Sequence, residues 1–349
     1  MHKWLIIQFK QIGDVVLTTH LPREIKTLFP NAEIDFLTFE INQQLLSNNP
    51  NINNVYTVSS NGGITETISS VWNIRRNKYD VIIDTQNTPR SLYHVIFSRA
   101  KYKVGYDKSS RQSFYNNIVS SSAVYAGQIK LNMLKPFDPN FDLSNYDCRP
   151  EVFYKESDTQ SMRDKVKSVG LDITKPFITI SPTHKRDTRR WKFEYFMDTA
   201  CWLTKTYSFQ ILLTYGPGEK EYIDNNLNKY KENVDLSDNI IVAPEFSMVE
   251  FAAVLSAASM HIGNDSAPHH LAVSQKTPTF IIIGSTSTGW IHPDKIHTSV
   301  NLGIDCQPCG RSICNISEDI PCMNDLTFEI IKKDLENFIE DNSINITCS

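Results

Sequence analysis

Short apolar segments alternate with longer amphipathic segments along most of this 349-residue chain. Near the start, the strand-like WLIIQF is followed by VVLTTHLPREIKTLF, a helix that Pro22 should kink or divide. Further along, the strand-like FQILLTYG is followed by the helix-like EYIDNNLNKY. Strands that alternate with helices of ten or more residues are typical of a parallel sheet covered on both faces. We therefore predict an α/β fold.

The alternation is interrupted by one segment rich in proline, asparagine and aspartate. This segment, PFDPNFDLSNYDCRP, has no sustained periodicity, which is typical of a linker. The chain is also long for a single core. We predict two doubly wound, Rossmann-like domains. Their bounds are 1–137 for the first domain, 138–156 for the linker, 157–325 for the second domain with a Cys-rich segment at 306–322, and 326–349 for a terminal helix and tail.

Composition and charge exclude several classes of protein. The chain is 40% hydrophobic and 21% charged, which is globular rather than disordered. Its net charge of −4 argues against a nucleic-acid partner. The N-terminal apolar run, Trp4 to Ile7, is too short for a signal peptide, and no later segment approaches the roughly 20 apolar residues of a membrane span. We expect a cytoplasmic protein with reduced cysteines, unless some bind metal.

The loop after the first predicted strand carries a candidate catalytic acid. Tandem sheets of this kind are expected to form a cleft, with ligands at the carboxyl ends of the strands. The first strand ends in FKQIGD, so Asp14 lies where the next helix begins. Asp14 is either a helix cap or a carboxylate that takes a proton from an attacking hydroxyl. The loop lacks G-x-G-x-x-G, which disfavours a dehydrogenase.

Two loops after strands of the second domain carry charged side chains. The loop THKRDTRRW is either a solvated basic loop or a site that neutralises a diphosphate. Its basic residues are Lys185, Arg186, Arg189 and Arg190. In LLTYGPGEKE, Glu219 and Glu221 follow two glycines. Either acid could bind a ribose diol or a base amine, or simply favour the start of a helix.

The segment GNDSAPHHLA combines the start of a helix with more polar chemistry than a cap requires. We predict a turn at residues 264–266, with Pro268 near the first helical position. Free N–H groups of that first turn form an anion site, most naturally for phosphate. His270, one turn into the helix, would add a donor. Capping alone would need only Asp265 or Ser266, so we favour the phosphate site.

Four segments of the chain, in this order, match motifs of one known family. They are IGDVVLTTHLPREIKTLFPNAEIDFLT, YDVIIDTQNTPRSLYHVIFSRAKYKVGYD, TRRWKFEYF with its basic-x-Trp motif, and GNDSAPHHLAVSQKTPTFIIIGSTSTGWIHP. The last is similar to a D-[ST]-G-x-x-H-x-A signature. Together they resemble family 9 glycosyltransferases, the heptosyltransferases of lipopolysaccharide core assembly. The resemblance implies a GT-B fold, with two domains facing across a cleft, and inverting, metal-independent transfer of heptose from ADP-heptose.

The resemblance also implies roles for individual residues. Asp14 matches the family's catalytic base. Arg189, two positions before Trp191, matches the basic residue that assists the donor phosphates. Glu219 or Glu221 corresponds to the acid that holds the donor's nucleoside.

The diphosphate signature departs from the family at one position. Asp265, Ser266 and His270 match it, whereas Ala267 replaces its glycine. Because alanine has a Cβ, this change can alter how closely the backbone approaches the donor. The predicted donor-binding residues are Lys185, Arg189, Arg190, Glu219, Glu221, Asp265, Ser266, Ala267 and His270.

A basic segment in the first domain is a candidate acceptor site. Five basic residues, Lys108 among them, accompany the single acid Asp107 between positions 99 and 111. The segment is either a solvated surface or a patch for an acidic ligand. The resemblance implies an acidic glycolipid acceptor of the Kdo–lipid A type, and the segment could meet its charges or anionic lipid. The protein would then be peripheral at the inner face of the inner membrane. The predicted acceptor-binding residues are Arg99, Lys101, Lys103 and Arg111.

Four cysteines near the end of the chain have the spacing C-x2-C-x4-C-x7-C. They are Cys306, Cys309, Cys314 and Cys322. Clustered thiols can hold a structural zinc or iron ion, although the outer spacings are not those of a common zinc finger. We favour reduced or loosely paired thiols over a structural metal, and we expect no cofactor for catalysis.

Two other functions remain open from the sequence. The same mechanism could use another nucleotide sugar or a protein acceptor. Alternatively, the chain could be a GT-B-like binding module without catalysis, which the joint presence of Asp14, Arg189 and His270 disfavours.

Overall fold

Two compact units make up the chain in the computed structural model, which describes residues 1–107 and 110–344. The first unit is Met1–Phe153 and the second is Tyr154–Ser349. Each unit contains one six-stranded sheet in which all paired strands are parallel. Within the described ranges, no helix is both long and apolar enough to cross a membrane.

The first unit has the strand order β3-β2-β1-β4-β5-β6. Its strands are β1 (Lys3–Ile7), β2 (Glu33–Phe39), β3 (Asn54–Val58), β4 (Val81–Asp84), β5 (Tyr102–Tyr106) and β6 (Asn117–Val119). Its helices are α1 (Ile12–Val16), α2 (Leu21–Leu28), α3 (Gln43–Leu46), α4 (Ile64–Arg76), α5 (Pro89–Phe97) and α6 (Ala126–Leu131).

Strand β1 lies at the centre of the first sheet, between β2 and β4. Its residues Trp4 to Ile7 are fully buried, which explains their uninterrupted apolar run. The helix predicted after it is divided into α1 and α2, and Pro22 lies in the first turn of α2. Proline is tolerated there because the first-turn N–H groups have no partner within the helix.

The second unit has the strand order β12-β11-β10-β7-β8-β9. Its strands are β7 (Phe177–Ser181), β8 (Gln210–Leu213), β9 (Ile240–Val242), β10 (Met260–Asn264), β11 (Thr279–Ile282) and β12 (His297–Val300). Its helices are α7 (Glu156–Ser168), α8 (Phe193–Tyr207), α9 (Lys220–Lys231), α10 (Met248–Ala257), α11 (Ala267–Ser274), α12 (Pro321–Asn324) and α13 (Phe328–Asp341).

Three strands that the sequence analysis did not predict, β3, β6 and β12, all lie at the edge of a sheet. Their sequences are NVYTV, NIV and HTSV, and most of their residues are only partly buried. An edge strand has a neighbour on one side only, so it can carry polar residues that hide its periodicity.

The carboxyl ends of the strands form one edge in each sheet, because the strands are parallel. The strand order reverses direction between β1 and β4 in the first unit, and between β7 and β10 in the second. Ligands of such sheets bind beside this reversal, at the carboxyl ends. The loops after β1, β7 and β10 carry Asp14, the basic loop and the GNDSAPHHLA segment, so the fold puts the candidate residues at that edge of their own sheets.

Candidate active site

The loop after β1 holds Asp14 at the carboxyl edge of the first sheet. The backbone N–H groups of Phe9 and Lys10 both donate to Oε1 of Gln86, at 2.9 and 2.8 Å, which ties this loop to the end of β4. Asp14 lies in the first turn of α1, where its Oδ2 accepts from the Gln11 N–H at 3.2 Å. Its side chain is 32% exposed. The carboxylate is therefore oriented by the backbone and still accessible, as a general base must be.

A buried lysine that the sequence analysis missed lies beside this carboxylate. Nζ of Lys130 is 3.9 Å from Oδ1 of Asp14 and donates to Oε1 of Gln8 at 3.0 Å. The Lys130 side chain is only 8% exposed. Burial lowers the pKa of Lys130, while the Asp14 and Asp84 carboxylates act in the opposite direction. The available signal was its position in the apolar stretch IKLNML, since a buried lysine requires a polar partner.

Buried polar side chains at the ends of β1 and β4 lie close to Asp14 and Lys130. Oε1 of Gln8 accepts from the Thr85 hydroxyl at 2.6 Å in addition to Lys130. Asp84 is fully buried and accepts from the Tyr115 hydroxyl at 2.8 Å and from two backbone N–H groups. Burial raises the pKa of Asp84 even though these hydrogen bonds oppose the shift. The hydrogen bond to Gln8 fixes the position from which Lys130 reaches Asp14.

The predicted acceptor-binding residues do not lie together at the edge that carries Asp14. Arg99 and Lys101 precede β5, and Lys103 lies near its start, so all three belong to the opposite, amino edge of the sheet. Nζ of Lys103 donates to a carbonyl at 3.5 Å, and burial lowers the pKa of Lys103. The basic segment is therefore not a single patch beside Asp14.

Arg111 is the member of this set that follows β5 and lies towards the carboxyl edge. Its Nη1 donates to the carbonyl of Asn87, in the loop after β4, at 3.3 Å. Lys108, which belongs to the same basic segment, lies outside the described residues.

In the second unit, Arg189 from the basic loop lies beside Asp265 from the loop after β10. Their closest charged atoms, Nη1 and Oδ2, are 3.9 Å apart. Burial lowers the pKa of Arg189 and raises the pKa of Asp265, and the pair opposes both shifts. Asn264 joins the same two loops, because its side chain accepts from the Trp191 N–H at 2.9 Å and donates to the Thr183 carbonyl at 3.3 Å.

The other two basic candidates of this loop differ in how they are engaged. Nη1 of Arg190 donates to the His184 carbonyl at 3.1 Å, and its other terminal nitrogen donates to Asp187. The Arg190 guanidinium also lies over the Tyr222 ring, 5.3 Å from its centroid. Lys185 is exposed. Arg189 is thus the basic residue that pairs with Asp265, whereas Arg190 stabilises its own loop.

The first turn of α11 has N–H groups that no side chain of its N-cap residue satisfies. The helix begins at Ala267, with Ser266 in extended conformation as the N-cap. The Ser266 hydroxyl donates to the Asn264 carbonyl at 3.3 Å instead of accepting from the helix. The predicted turn begins one residue later than expected, because Asn264 is the last residue of β10. An uncapped first turn is suited to an anion.

The histidine pair on α11 is buried and electrically neutral near pH 7. Burial lowers the pKa of His270 to about 4 and the pKa of His269 well below its usual value. The two rings lie 5.0 Å apart. A neutral imidazole can still donate one hydrogen bond, so His270 would contribute a dipole rather than a charge.

The two acidic candidates after β8 differ in their surroundings. Glu219 is partly buried at the N-cap of α9, and its Oε2 accepts from the Gly216 N–H at 2.9 Å. Its carboxylate is also close enough to His184 of the basic loop to raise the pKa of that histidine against the stronger effect of burial. Glu221 is exposed. Of the two acids, Glu219 is the one that lies near the donor candidates.

The protein was compared with models of known protein families. Residues 69–318 match the model of glycosyltransferase family 9 (heptosyltransferase). The chain belongs to glycosyltransferase family 9. This match confirms the family predicted from the sequence, and it makes the protein a glycosyltransferase.

Two lipopolysaccharide heptosyltransferases are similar to this protein over most of its chain. Lipopolysaccharide heptosyltransferase 1 of Campylobacter coli is 26% identical, over 90% of this chain and 91% of its own length. Lipopolysaccharide heptosyltransferase 3 of Escherichia coli K12 is 24% identical, over 78% of this chain and 80% of its own.

Solved structures confirm the α/β GT-B fold. A family 9 glycosyltransferase from Veillonella parvula superposes with a TM-score of 0.84 at 19% identity, covering 97% of this chain and 98% of that one. The E. coli heptosyltransferase WaaC with ADP-2-deoxy-2-fluoro heptose superposes with a TM-score of 0.68 at 17% identity, covering 96% and 99%.

The Cys-rich segment of this family 9 protein packs against the loop that carries Arg189. The Thr188 hydroxyl donates to the Arg311 carbonyl at 2.8 Å, and the Gly310 N–H donates to the Ser285 carbonyl at 2.7 Å. The segment therefore supports the position of the basic loop.

The four thiols of this segment lie close enough together to influence one another. Burial is the largest cause that raises the pKa of Cys322 to about 11, and the charges of the other three thiols add to it. Backbone N–H groups lower the pKa of Cys314. Across residues 1–107 and 110–344, no group of three or more metal-binding side chains is arranged to hold an ion. The structural zinc or iron considered from the sequence stays a prediction.

Proposed function

We propose that this glycosyltransferase moves heptose from ADP-heptose to an acidic acceptor of the lipopolysaccharide inner core. The observation that carries the proposal is the uncapped first turn of α11, with Arg189 and Asp265 beside it. Such an arrangement suits a sugar diphosphate. The names of the relatives and the heptose analogue in the WaaC structure support the choice of sugar.

In the proposed donor site, the second unit supplies positive charge for the departing diphosphate. The N–H groups at Ser266 and Ala267 and the N–H donor of His270 would contact phosphate oxygens, and Arg189 would neutralise part of their charge. Glu219 would hold the nucleoside. Lys185 and Arg190 would add to the positive field around them, and Asp265 would hold Arg189 in place.

The proposed reaction is a single displacement with inversion at the anomeric carbon. Asp14 takes the proton of the acceptor hydroxyl as that oxygen attacks, and the bond from the anomeric carbon to the phosphate oxygen breaks. ADP leaves with the electron pair of that bond. Lys130 does not touch the substrate in this scheme. It is a positioning residue, whose ammonium group lies 3.9 Å from Oδ1 of Asp14 and would hold that carboxylate in place.

The proposed acceptor carries Kdo carboxylates and lipid A phosphates. Of the basic candidates, Arg111 is the one placed to contact them, because it lies towards the carboxyl edge of the sheet, as Asp14 does. The two relatives named above are a heptosyltransferase 3 and a heptosyltransferase 1. The proposal therefore names a class of acceptor and not one hydroxyl. An acceptor of this kind places the enzyme at the cytoplasmic face of the inner membrane.

The test of this function is ADP release from ADP-heptose with and without a truncated Kdo–lipid A acceptor. Acceptor-dependent release is expected, and UDP- and GDP-sugars should give none. Because protein groups supply the positive charge, EDTA should leave the rate unchanged. Release from a UDP- or GDP-sugar, or transfer to a protein instead of the lipid, would refute the proposed pair of substrates.

A further inference from the structure

Two neighbouring helices of the first unit expose large apolar side chains on the same surface. Ile64 is 80% exposed, Trp72 56% and Phe97 51%. Together with Ile68 and Tyr93, they repeat every four residues along α4 and α5, a spacing that keeps them on one face of each helix. We call these five residues the α4–α5 patch.

The apolar face of α4 points away from the core of the unit. Only Ile74 is fully buried among the 13 residues of α4. A helix of a globular protein normally turns its apolar stripe inwards. Here the stripe instead lines an open groove of about 780 Å³ between α4 and α5. A contiguous exposed apolar surface of this kind marks an interaction site.

Basic side chains line the groove and follow the ends of its two helices. Arg75 and Arg90 line the groove itself. Residues 62–111 contain nine lysines and arginines and four acids, in a chain whose net charge is −4. All four acids are engaged within the unit. Asp84 is buried, Asp80 accepts from the backbone of His2 and Lys3, Glu66 lies 3.7 Å from Arg90, and Asp107 accepts from the N–H and hydroxyl groups of Ser121. The basic residues at the ends of the two helices are Arg75, Arg76, Arg99 and Lys101.

We propose that the α4–α5 patch docks the first unit on an anionic phospholipid membrane. Aliphatic and aromatic side chains next to arginine and lysine are typical of helices that lie in a membrane interface, where the apolar groups enter the acyl boundary and the cations meet lipid phosphates. This role also accounts for Arg99 and Lys101, which lie on the edge of the sheet away from Asp14.

The charge around the patch argues against a second copy of the chain as its occupant. A two-fold contact would bring the same surface of each copy together and so place one basic rim against the other. An anionic membrane offers the complementary charge instead.

One side of the groove lies near the loop that precedes Asp14. Arg90 lines the groove, and its guanidinium lies 5.9 Å from the ring centroid of Phe9, in the loop between β1 and Asp14. Docking through the patch would bring the membrane close to the loop that carries the proposed base. The docking itself requires no substrate, so it stands apart from the proposed transfer.

The experiment is flotation of the full chain with vesicles, without donor or acceptor. Vesicles of phosphatidylcholine and phosphatidylglycerol should bind the protein, and pure phosphatidylcholine should bind it more weakly. Replacing both Trp72→Ser and Phe97→Ser should reduce partitioning at least about ten-fold. Replacing Arg99→Gln and Lys101→Gln should reduce it by about five-fold for each charge at low salt. The matched control is Ile330→Ser on α13, which removes a side chain that is 53% exposed in the second unit.

Fluorescence gives a second readout, because Trp72 is the strongly exposed tryptophan of the described residues. Binding should shift the tryptophan emission to the blue, and Trp72→Phe should remove that shift while leaving binding nearly intact. Equal partitioning of wild type and the Trp72/Phe97 variant would overturn the proposal, as would equal binding to neutral vesicles. Lipid-free dimers that the same variant abolishes would assign the patch to a second copy and overturn the membrane role.

Discussion

The two units carry different charges at the carboxyl edges of their own sheets. The first holds a carboxylate, Asp14, and supports it with Lys130, a cation buried beneath the surface. The second offers positive potential directly, through Arg189 and the first turn of α11. In the proposed reaction, the first unit accepts a proton and the second stabilises an anion. Substitutions should therefore separate the chemistry of the first from the donor binding of the second.

The largest effect is expected for Asp14→Asn, which should lower kcat by roughly 10²–10⁴-fold because the amide cannot accept the proton. ADP affinity should stay within about two-fold, since no part of the second unit changes. Steady-state rates and calorimetric titration with ADP measure the two quantities. The control is Glu33→Gln, at the amino end of β2. If Asp14→Asn transferred heptose at the normal rate, Asp14 would not be the base.

Arg189→Gln should lose roughly 10²-fold in kcat/KM, because the proposed site would lose the positive charge of Arg189 that neutralises the leaving diphosphate. Unlike the change at Asp14, this one should also weaken ADP binding. Arg190→Gln is the matched comparison and should cost less, since Arg190 is engaged with Asp187 and the Tyr222 ring. A larger loss for Arg190→Gln than for Arg189→Gln would reverse the assignment of the two residues.

Lys130→Met should lower kcat/KM by roughly ten-fold, because Asp14 would lose the cation that lies 3.9 Å from its Oδ1 and holds the carboxylate in place. Most of the loss should fall on kcat, since the proposed donor site in the second unit is unchanged. Lys130→Arg should restore the rate if it keeps the positive charge in place. An equal loss for Lys130→Arg and Lys130→Met, or a loss confined to KM for the donor, would reduce Lys130 to a structural role.

The contrast between Lys130 and Arg189 also shows what the sequence could predict. Arg189 belongs to a local motif after a recognisable strand, as does Asp14, so the places of both residues at strand ends could be predicted from the sequence. Lys130 lies 122 positions along the chain from Gln8, its hydrogen-bond partner, and only the folded sheet brings them together. Likewise, the alternating pattern predicted the central strands, but it missed β3, β6 and β12, where one-sided pairing permits polar residues.

The basic segment at positions 99–111 shows the converse: residues that are close in sequence lie apart in the folded sheet. Arg99, Lys101 and Arg111 are close in sequence, which suggested one acceptor patch. Strand β5 runs between them, however, and carries Arg111 to the other edge of the sheet. Proximity along the chain is therefore a poor guide to shared function when an extended strand intervenes, because each residue of a strand adds about 3.3 Å.

The smallest effect is expected for Ala267→Gly, which restores the glycine of the family signature. Ala267 is the first residue of α11, in an ordinary helical conformation that places no demand for glycine on the backbone. KM for ADP-heptose should change by less than about three-fold, and the free energy of unfolding should fall by about 0.5–1 kcal/mol because glycine is the more flexible residue. Kinetics and thermal unfolding of the two proteins measure both changes. A gain of ten-fold or more in donor affinity would mean that the Cβ of Ala267 holds the diphosphate away from the first turn, and that this chain has a weakened form of the second unit's anion site.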